Sequence, residues 1–166
     1  TAFRDTPWQA GLGEFAVVGG TLLRYQGDAE QVTVPDGITT VGEEAFSGLT
    51  GLTSVTLPEG LRTLGNLAFG GCTSLQSIRL PGTLTTIEGQ VFSHSGLTSV
   101  VLPDSVVSVG DSAFASCPNL REFTVPAGVQ LGVAVLSNCG GLRRVDIEAG
   151  CTEIPLSSFY QCSSLT

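Results

Sequence analysis

Residues 53–75 read Thr-Ser-Val-Thr-Leu-Pro-Glu-Gly-Leu-Arg-Thr-Leu-Gly-Asn-Leu-Ala-Phe-Gly-Gly-Cys-Thr-Ser-Leu, and this unit recurs along the chain. A proline, an aromatic position and a leucine all repeat with one spacing. The prolines are Pro35, Pro58, Pro81, Pro103 and Pro126; the aromatic position holds Phe46, Phe69, Phe92, Phe114, Leu136 and Phe159; the leucines are Leu52, Leu75, Leu97, Leu120, Leu142 and Leu165. A period of about 22 to 23 residues is typical of a solenoid, in which each repeat forms one coil.

The first arm of each coil is the run before the proline position, where apolar residues alternate with polar ones. Period-two alternation predicts a strand with one face inward, and proline ends the strand because it lacks an N–H group. Strands one coil apart are parallel, so we expect one continuous parallel sheet from six runs: Gln31–Val34, Ser54–Leu57, Ser77–Leu80, Ser99–Leu102, Glu122–Val125 and Arg144–Ile147.

The second and third arms complete the coil. A second apolar pair, such as Leu61 and Leu64, is followed by a glycine that suits a sharp corner. The third arm then carries the aromatic residue, which we expect to fill the coil interior from a short helical turn or 3₁₀ segment. The pattern is less regular near the C-terminus, where Leu136 replaces Phe and Ile154-Pro155 replaces the corner.

Two regions are predicted. Residues 1–29 lack the repeat and read as an N-terminal cap made of a short helix within residues 1–14 and a β-hairpin turning at Gly19-Gly20. Residues 30–166 form an array of about six right-handed coils. Leu165-Thr166 matches Leu52-Thr53, so we expect the array to break off within a repeat.

Composition limits the possible partners. The chain has 166 residues, 42% hydrophobic and 13% charged, with 7 basic residues, all arginine, against 15 acidic ones. A net charge of −8 argues against nucleic-acid binding and against anionic lipid surfaces. No apolar run is long enough to cross a membrane as a helix, so we expect no membrane insertion within this segment.

The residues that could carry chemistry have simpler interpretations. Cys72, Cys117, Cys139 and Cys162 occupy one repeat position, which favours buried free thiols over disulfides or a metal site, while Cys151 lies outside that series and is the more reactive candidate. The single histidine, His94, lies between two serines, but a catalytic triad converges in space and not in consecutive positions. We therefore expect no enzyme activity, no metal and no cofactor.

The outward side of the first arm is the candidate partner-binding face. Its side chains stack at strand spacing on a scaffold that is ordered before binding, which suits a protein or an extended ligand. The alternative is that Ser and Thr simply tolerate a solvated strand. The face is defined by Thr33, Thr56, Arg79, Val101, Thr124 and Asp146, with Glu122 and Arg144 beside them.

The tandem pattern Leu-x-x-Val-x-Leu-Pro and Gly-x-x-Ala-Phe-x-x-Cys, seen most clearly at residues 52–58 and 65–72, resembles the BspA-type (treponemal) leucine-rich repeat. The resemblance covers about residues 31–166 and implies a leucine-rich-repeat solenoid. It also implies a bacterial cell-surface protein involved in adhesion or in contacts with host matrix, and hence an extracellular location.

Two functions remain open: a non-catalytic binding module, or a structural spacer that holds another domain away from the surface. An uncapped last coil would leave Val145, Ile147 and Phe159 near an open end. End-to-end self-association is therefore a further expectation.

Overall fold

The computed structural model describes residues 13–151 and 153–166, and within these ranges the chain contains β-strands and turns but no helix. The helix predicted within residues 1–14 lies almost entirely outside the described residues; Gly13 and Glu14 form a turn. The strands, in chain order, are β1 Phe15–Val18, β2 Thr21–Tyr25, β3 Gln31–Thr33, β4 Thr40–Val41, β5 Ser54–Thr56, β6 Thr63–Leu64, β7 Thr86–Ile87, β8 Ser108–Val109, β9 Glu122–Val125, β10 Gln130–Leu131 and β11 Arg144–Ile147.

The predicted hairpin is confirmed. Strands β1 and β2 pair antiparallel, and the two residues between them, Gly19 and Gly20, have φ values of 55° and 77°. Two consecutive positive φ angles are what a type I′ turn requires, and glycine adopts them without strain. Strand β2 also pairs in parallel with β4, so the second strand of the hairpin already belongs to the repeat sheet.

The continuous sheet is built by the second arm of the coils, not by the first. Seven strands follow the order β1-β2-β4-β6-β7-β8-β10, and all are parallel from β2 onward. The neighbouring backbones approach closely at the glycine corner. The amide of Gly65, for example, donates to the Val41 carbonyl at 2.7 Å, and a Cβ at Gly65 would lie 2.9 Å from that oxygen.

The predicted six-stranded sheet of the first arm is therefore wrong. Within the described residues, first-arm strands pair only as β3 with β5 and as β9 with β11. Residues 77–80 and 99–102 keep the alternating burial of strands but have no strand partner. Alternation records which side chains face inward, whereas pairing depends on the distance between coils, and alternation does not reveal that distance.

The second-arm sheet ends at β10 in the described part of the chain, and Pro155 explains why. The amide of Gly132 donates to the Val109 carbonyl at 2.7 Å, as the corner glycines of earlier coils do. One coil further on, that position is occupied by Pro155, which has no N–H group to donate.

The third arm is a run of turns and not the expected short helical turn or 3₁₀ segment. Alternate amides bond within the coil and between coils: Ser47 donates to the Glu44 carbonyl at 3.1 Å, and Phe46 donates to the Ala68 carbonyl at 2.8 Å. Two residues before each aromatic position a non-glycine residue has a positive φ near 55° to 60°: Glu44, Leu67, Gln90, Ser112, Ala134 and Ser157. Inter-coil hydrogen bonds offset the strain of this left-handed geometry.

One interior runs through the coils, as predicted. Phe46, Phe69, Phe92 and Phe114 are all at most 1% exposed, and successive ring centroids lie 5.0, 5.6 and 5.3 Å apart. Tyr25 extends the stack at the N-terminal end, 5.4 Å from Phe46. Where Leu136 replaces the aromatic residue, the ring of Phe123 on β9 packs against Phe114 at 5.1 Å and 60°. The aliphatic residues of both strand arms join the same buried cluster.

Candidate partner-binding face

The eight side chains of the candidate partner-binding face point outward from the first arm. Seven are exposed, and Asp146 is half-buried. Their backbones are held by the inward residues between them, such as Val55 at 5% and Phe123 at 1% exposure. The side chains are therefore presented by a scaffold that is anchored in the core.

The two ends of this face are paired strands, and the register places matching positions side by side. At the C-terminal end, Arg144 lies beside Glu122 and Asp146 lies beside Thr124. At the N-terminal end, Thr33 lies beside Thr56. The two strands in each of these three residue pairs are about 4.8 Å apart, the usual spacing between paired strands.

Arg79 and Val101 occupy the middle of the face, where strand pairing is interrupted. Val101 is 80% exposed, which is unusual for an aliphatic side chain, and Arg79 is also exposed. The amide of Thr98 donates to the Gln76 carbonyl at 2.9 Å just before this segment. An exposed apolar side chain beside an exposed arginine provides the two kinds of contact that dominate protein interfaces.

Charges on the face are partly satisfied within it. Arg144 Nη2 lies 2.8 Å from Asp146 Oδ1, and Arg144 Nε donates to the same oxygen at 2.9 Å. This hydrogen bond and the carboxylate charge raise the pKa of the Arg144 guanidinium. No other ion pair forms among the described residues, and the side chains of Arg79 and Glu122 are exposed.

The cysteines stabilise the coils. Cys72 and Cys117 are fully buried, and each thiol donates to the carbonyl of the aromatic residue in the preceding coil, Phe46 at 3.2 Å and Phe92 at 3.1 Å. Cys139 and Cys162 repeat this bond with Phe114 and Leu136, both at 3.1 Å. Burial raises the pKa of the Cys72 thiol to about 12, so it stays protonated and unreactive at neutral pH.

The predicted free thiols are confirmed: all five cysteines are unpaired. Cys72, Cys117 and Cys139 are buried, as predicted for this repeat position. Cys162 is half-buried, because it belongs to the last coil of the described chain. Cys151 is also half-buried, and its thiol donates to the Glu153 carbonyl at 3.4 Å.

The His94 imidazole is hydrogen-bonded to the neighbouring serine, and the His94 amide donates to the Ala115 carbonyl at 3.0 Å. The Ser93 hydroxyl lies 2.9 Å from His94 Nδ1, and His94 itself is exposed with a φ of 60°. No carboxylate bonds to this imidazole in the described part of the chain, so these residues do not form a Ser-His-acid triad. Residues 13–151 and 153–166 also contain no group of three or more side chains placed to bind a metal ion.

A second surface, the outer face of the seven-stranded sheet, was not predicted from the sequence. Thr40, Thr63, Thr86 and Ser108 precede the buried residues of the second arm and stack in register on that side. The sequence does carry a signal for this surface, because a Thr or Ser precedes the second apolar residue of the second arm in successive repeats. An open groove of about 470 Å³ lies on this face across the coils of β7, β8 and β10.

Within the described residues, no helix has the length and apolar character needed to span a bilayer.

Comparison with known proteins agrees with this architecture. A family model for the BspA-type leucine-rich repeat region matches residues 22–131 in six copies. No curated protein sequence matches the chain. The match to the family model begins at Leu22 on β2, which is the strand where parallel pairing between coils begins.

Solved structures with the same fold include several bacterial proteins. A leucine-rich repeat protein from T. pallidum is 26% identical with a TM-score of 0.74, over 92% of this chain and 87% of that one. A leucine-rich repeat protein from Bacteroides ovatus is 24% identical with a TM-score of 0.61, over 86% of this chain and 49% of that one. The pneumococcal vaccine antigen PcpA is 23% identical with a TM-score of 0.54, over 84% of this chain and 32% of that one.

The matched residues 22–131 coincide with the coils that share the aromatic stack and the second-arm sheet. The repeat in the sequence, the stacked coils and the family model thus describe one and the same unit. On these grounds the chain belongs to the BspA-type leucine-rich repeat family.

Proposed function

We propose that this chain is a non-catalytic binding module of a bacterial cell-surface protein, which captures a protein or another extended extracellular ligand. The proposal rests on one observation: the eight side chains of the candidate partner-binding face all project outward from a single ordered side of the solenoid. Binding at such a face costs little ordering of the backbone, which favours affinity.

Arg79 and Val101 are the proposed centre of the contact. Both are exposed, and they occupy corresponding positions in adjacent coils, flanked by the polar side chains of Thr56 and Thr124. An arginine and an apolar residue surrounded by hydroxyl groups match the common arrangement of an interface centre with a polar rim.

The surface location and the role in adhesion are supported by the family alone. Proteins of the BspA type resemble one another as surface proteins implicated in adhesion to host matrix or to other cells. This chain has no charge pattern that conflicts with such a role, since a net charge of −8 favours solubility and disfavours nucleic-acid binding.

The test is capture of host extracellular-matrix and mucus components on the immobilised chain. The variant Arg79→Ala/Thr124→Ala/Asp146→Ala should capture much less of these components than the unmodified parent chain does. Its thermal unfolding midpoint should equal that of the parent chain. A control with matched residue types, Arg62→Ala/Thr50→Ala/Asp28→Ala, changes exposed residues outside the face and should capture as the parent does. Equal capture by the parent and the face variant would exclude this face.

A structural spacer is the second candidate, and the continuous core favours it. The aromatic stack from Tyr25 to Phe114 ties the coils into one body. A spacer of this kind would capture nothing in the same assay. In that case the parent chain and both triple variants would give the same background signal.

We also propose weak end-to-end association through the last coil. Ile147 is 50% exposed on β11, and Val145 and Phe159 are only half-buried against the core. Sedimentation velocity across a hundredfold range of concentration should show association that Ile147→Glu reduces. A sedimentation coefficient independent of concentration would contradict this.

A further inference from the structure

The outer face of the seven-stranded sheet is a second surface, distinct from the candidate partner-binding face. A column of hydroxyl side chains runs along it, one per coil at about 4.8 Å spacing. Its members are Thr21, Thr40, Thr63, Thr86 and Ser108, all half-exposed. Each can donate and accept hydrogen bonds, so the surface suits a polar partner.

The groove of about 470 Å³ lies at the C-terminal part of this face, with Thr86, Ser108 and Gln130 among its lining residues. Its wall at the corner of the coils is formed by glycines. A Cβ at Gly110 would lie 2.6 Å from the Gly89 amide nitrogen, and one at Gly132 would lie 2.5 Å from the Asp111 nitrogen. Close stacking therefore excludes side chains from this wall, and the groove stays open and lined by backbone.

Carboxylates flank the groove. Glu88 lines it, and its Oε2 accepts from the amide of Asn66 at 3.0 Å and from Asn66 Nδ2 at 3.3 Å. The carboxylate of Asp111 lies against Gly132, and its Oδ1 accepts from the Val133 amide at 2.8 Å. These bonds fix one oxygen of each carboxylate and leave the other available.

No cation of the described chain neutralises these carboxylates. Among residues 13–151 and 153–166 the one ion pair is Arg144–Asp146, on another arm of the coil. Glu88 and Asp111 thus place carboxylate groups beside the hydroxyl and amide groups of this face. The whole chain, at −8, adds to the attraction of a cationic partner.

We propose that this groove binds an extended polypeptide segment that carries lysine or arginine side chains. The coils of β7, β8 and β10, which supply most of its lining, span about 10 Å, and three to four residues of extended chain would cover that distance. The partner's cationic groups would bond to the free oxygens of Glu88 and Asp111, and its backbone would bond to the hydroxyl column. This surface serves a function beyond the proposed capture at the first arm.

The probe is the acetylated, amidated peptide Lys-Ser-Lys-Ser-Lys with a fluorescent label, titrated with the full chain and followed by anisotropy. The expected result is saturable binding that weakens as salt increases from 20 to 300 mM, because the charges are solvent-exposed. Glu-Ser-Glu-Ser-Glu and Ser-Ser-Ser-Ser-Ser should not bind. Equal binding of the neutral peptide, or no binding of the lysine peptide at low salt, would overturn the proposal.

Matched variants locate the site. Glu88→Gln should weaken binding of the lysine peptide about three- to fivefold, and Glu88→Gln/Asp111→Asn about tenfold or more. Glu148→Gln is the control, because the Glu148 carboxylate also accepts from a backbone amide, that of Ala127 at 3.1 Å, but follows β11 and does not line the groove. Circular dichroism checks that the variants are folded. If Glu88→Gln and Glu148→Gln weaken binding of the lysine peptide equally, the effect is due to net charge, and the proposal that the peptide binds in this groove is wrong.

Discussion

The rings of Phe46 and Phe69 lie 5.0 Å apart and within 9° of parallel, although a whole coil of sequence separates them. This contact exists only because two coils stack with the same side chain directed inward. The stack continues through Phe92 and Phe114, so each inner ring contacts one ring above and one below. The stability of any coil therefore depends on its neighbours.

Phe69→Ala should strongly destabilise the chain. Phe69 is fully buried between Phe46 and Phe92, and removing the ring leaves a cavity with a cost of about 3 to 5 kcal/mol. Urea denaturation measures the loss of unfolding free energy. Phe159→Ala is the matched control at the half-buried end of the same series and should cost clearly less. Equal losses in both variants would contradict a continuous stack.

Gly65→Ala should destabilise the folded chain, whereas Gly82→Ala should not. A Cβ at Gly65 would lie 2.9 Å from three backbone atoms of the preceding coil, and a Cβ at Gly82 would meet nothing within 4 Å. Forcing the coils apart at Gly65 should cost about 1 to 3 kcal/mol, while Gly82→Ala should be neutral or slightly stabilising because it restricts the unfolded chain. Thermal unfolding of the two variants under the same conditions gives the comparison.

Stability should fall as pH rises from about 9 to about 12, and Cys72 should contribute to the fall. Burial raises the pKa of this thiol from 9.0 to about 12, so the unfolded chain releases the proton first. Deprotonation then favours the unfolded state, by up to about 1.4 kcal/mol per pH unit for one thiol. Below pH 9 the thiol is protonated in both the folded and the unfolded state, so it contributes nothing to the pH dependence of the unfolding free energy.

The measurement is the free energy of unfolding at pH 8, 9.5 and 11 for the parent chain and for Cys72→Ala. The variant should be less stable at pH 8, since it loses the hydrogen bond to the Phe46 carbonyl, but it should show a shallower decline with pH. Identical slopes would mean that the Cys72 thiol ionises equally easily in both states.

Asp146→Asn should change the unfolding free energy by less than about 1 kcal/mol, even though it breaks the Arg144–Asp146 ion pair. The two side chains are 67% and 48% exposed, and exposed pairs contribute little because water and salt screen them. Chemical denaturation of the variant checks this. A larger loss would mean that the face variant used to test partner capture also perturbs the fold.

The interior could be predicted because it depends on residue type at a fixed spacing. The positions of Phe46, Phe69, Phe92 and Phe114 indicated one core, and the glycine pair Gly19-Gly20 indicated the hairpin. The outward placement of Arg79 and its column followed from alternation alone. Each of these features is local or strictly periodic.

The hydrogen bonds between coils could not be predicted in the same way. A two-residue strand such as Thr63–Leu64 is too short to show a recognisable alternation of apolar and polar residues. The seven-stranded sheet and its groove were therefore not predicted. The positive φ angles at Glu44, Leu67 and Gln90 have no compositional signal either, since these residue types rarely adopt them. They are stabilised by partners one coil away.

The sequence by itself determined that the chain is a solenoid, which residues form its interior and which side of the first arm faces solvent, because all three depend on periodic burial of apolar side chains. Only the tertiary structure decided which arm forms the continuous sheet, where that sheet ends and where a groove opens. These depend on how closely neighbouring backbones approach, and that distance is set jointly by the packing of all the coils.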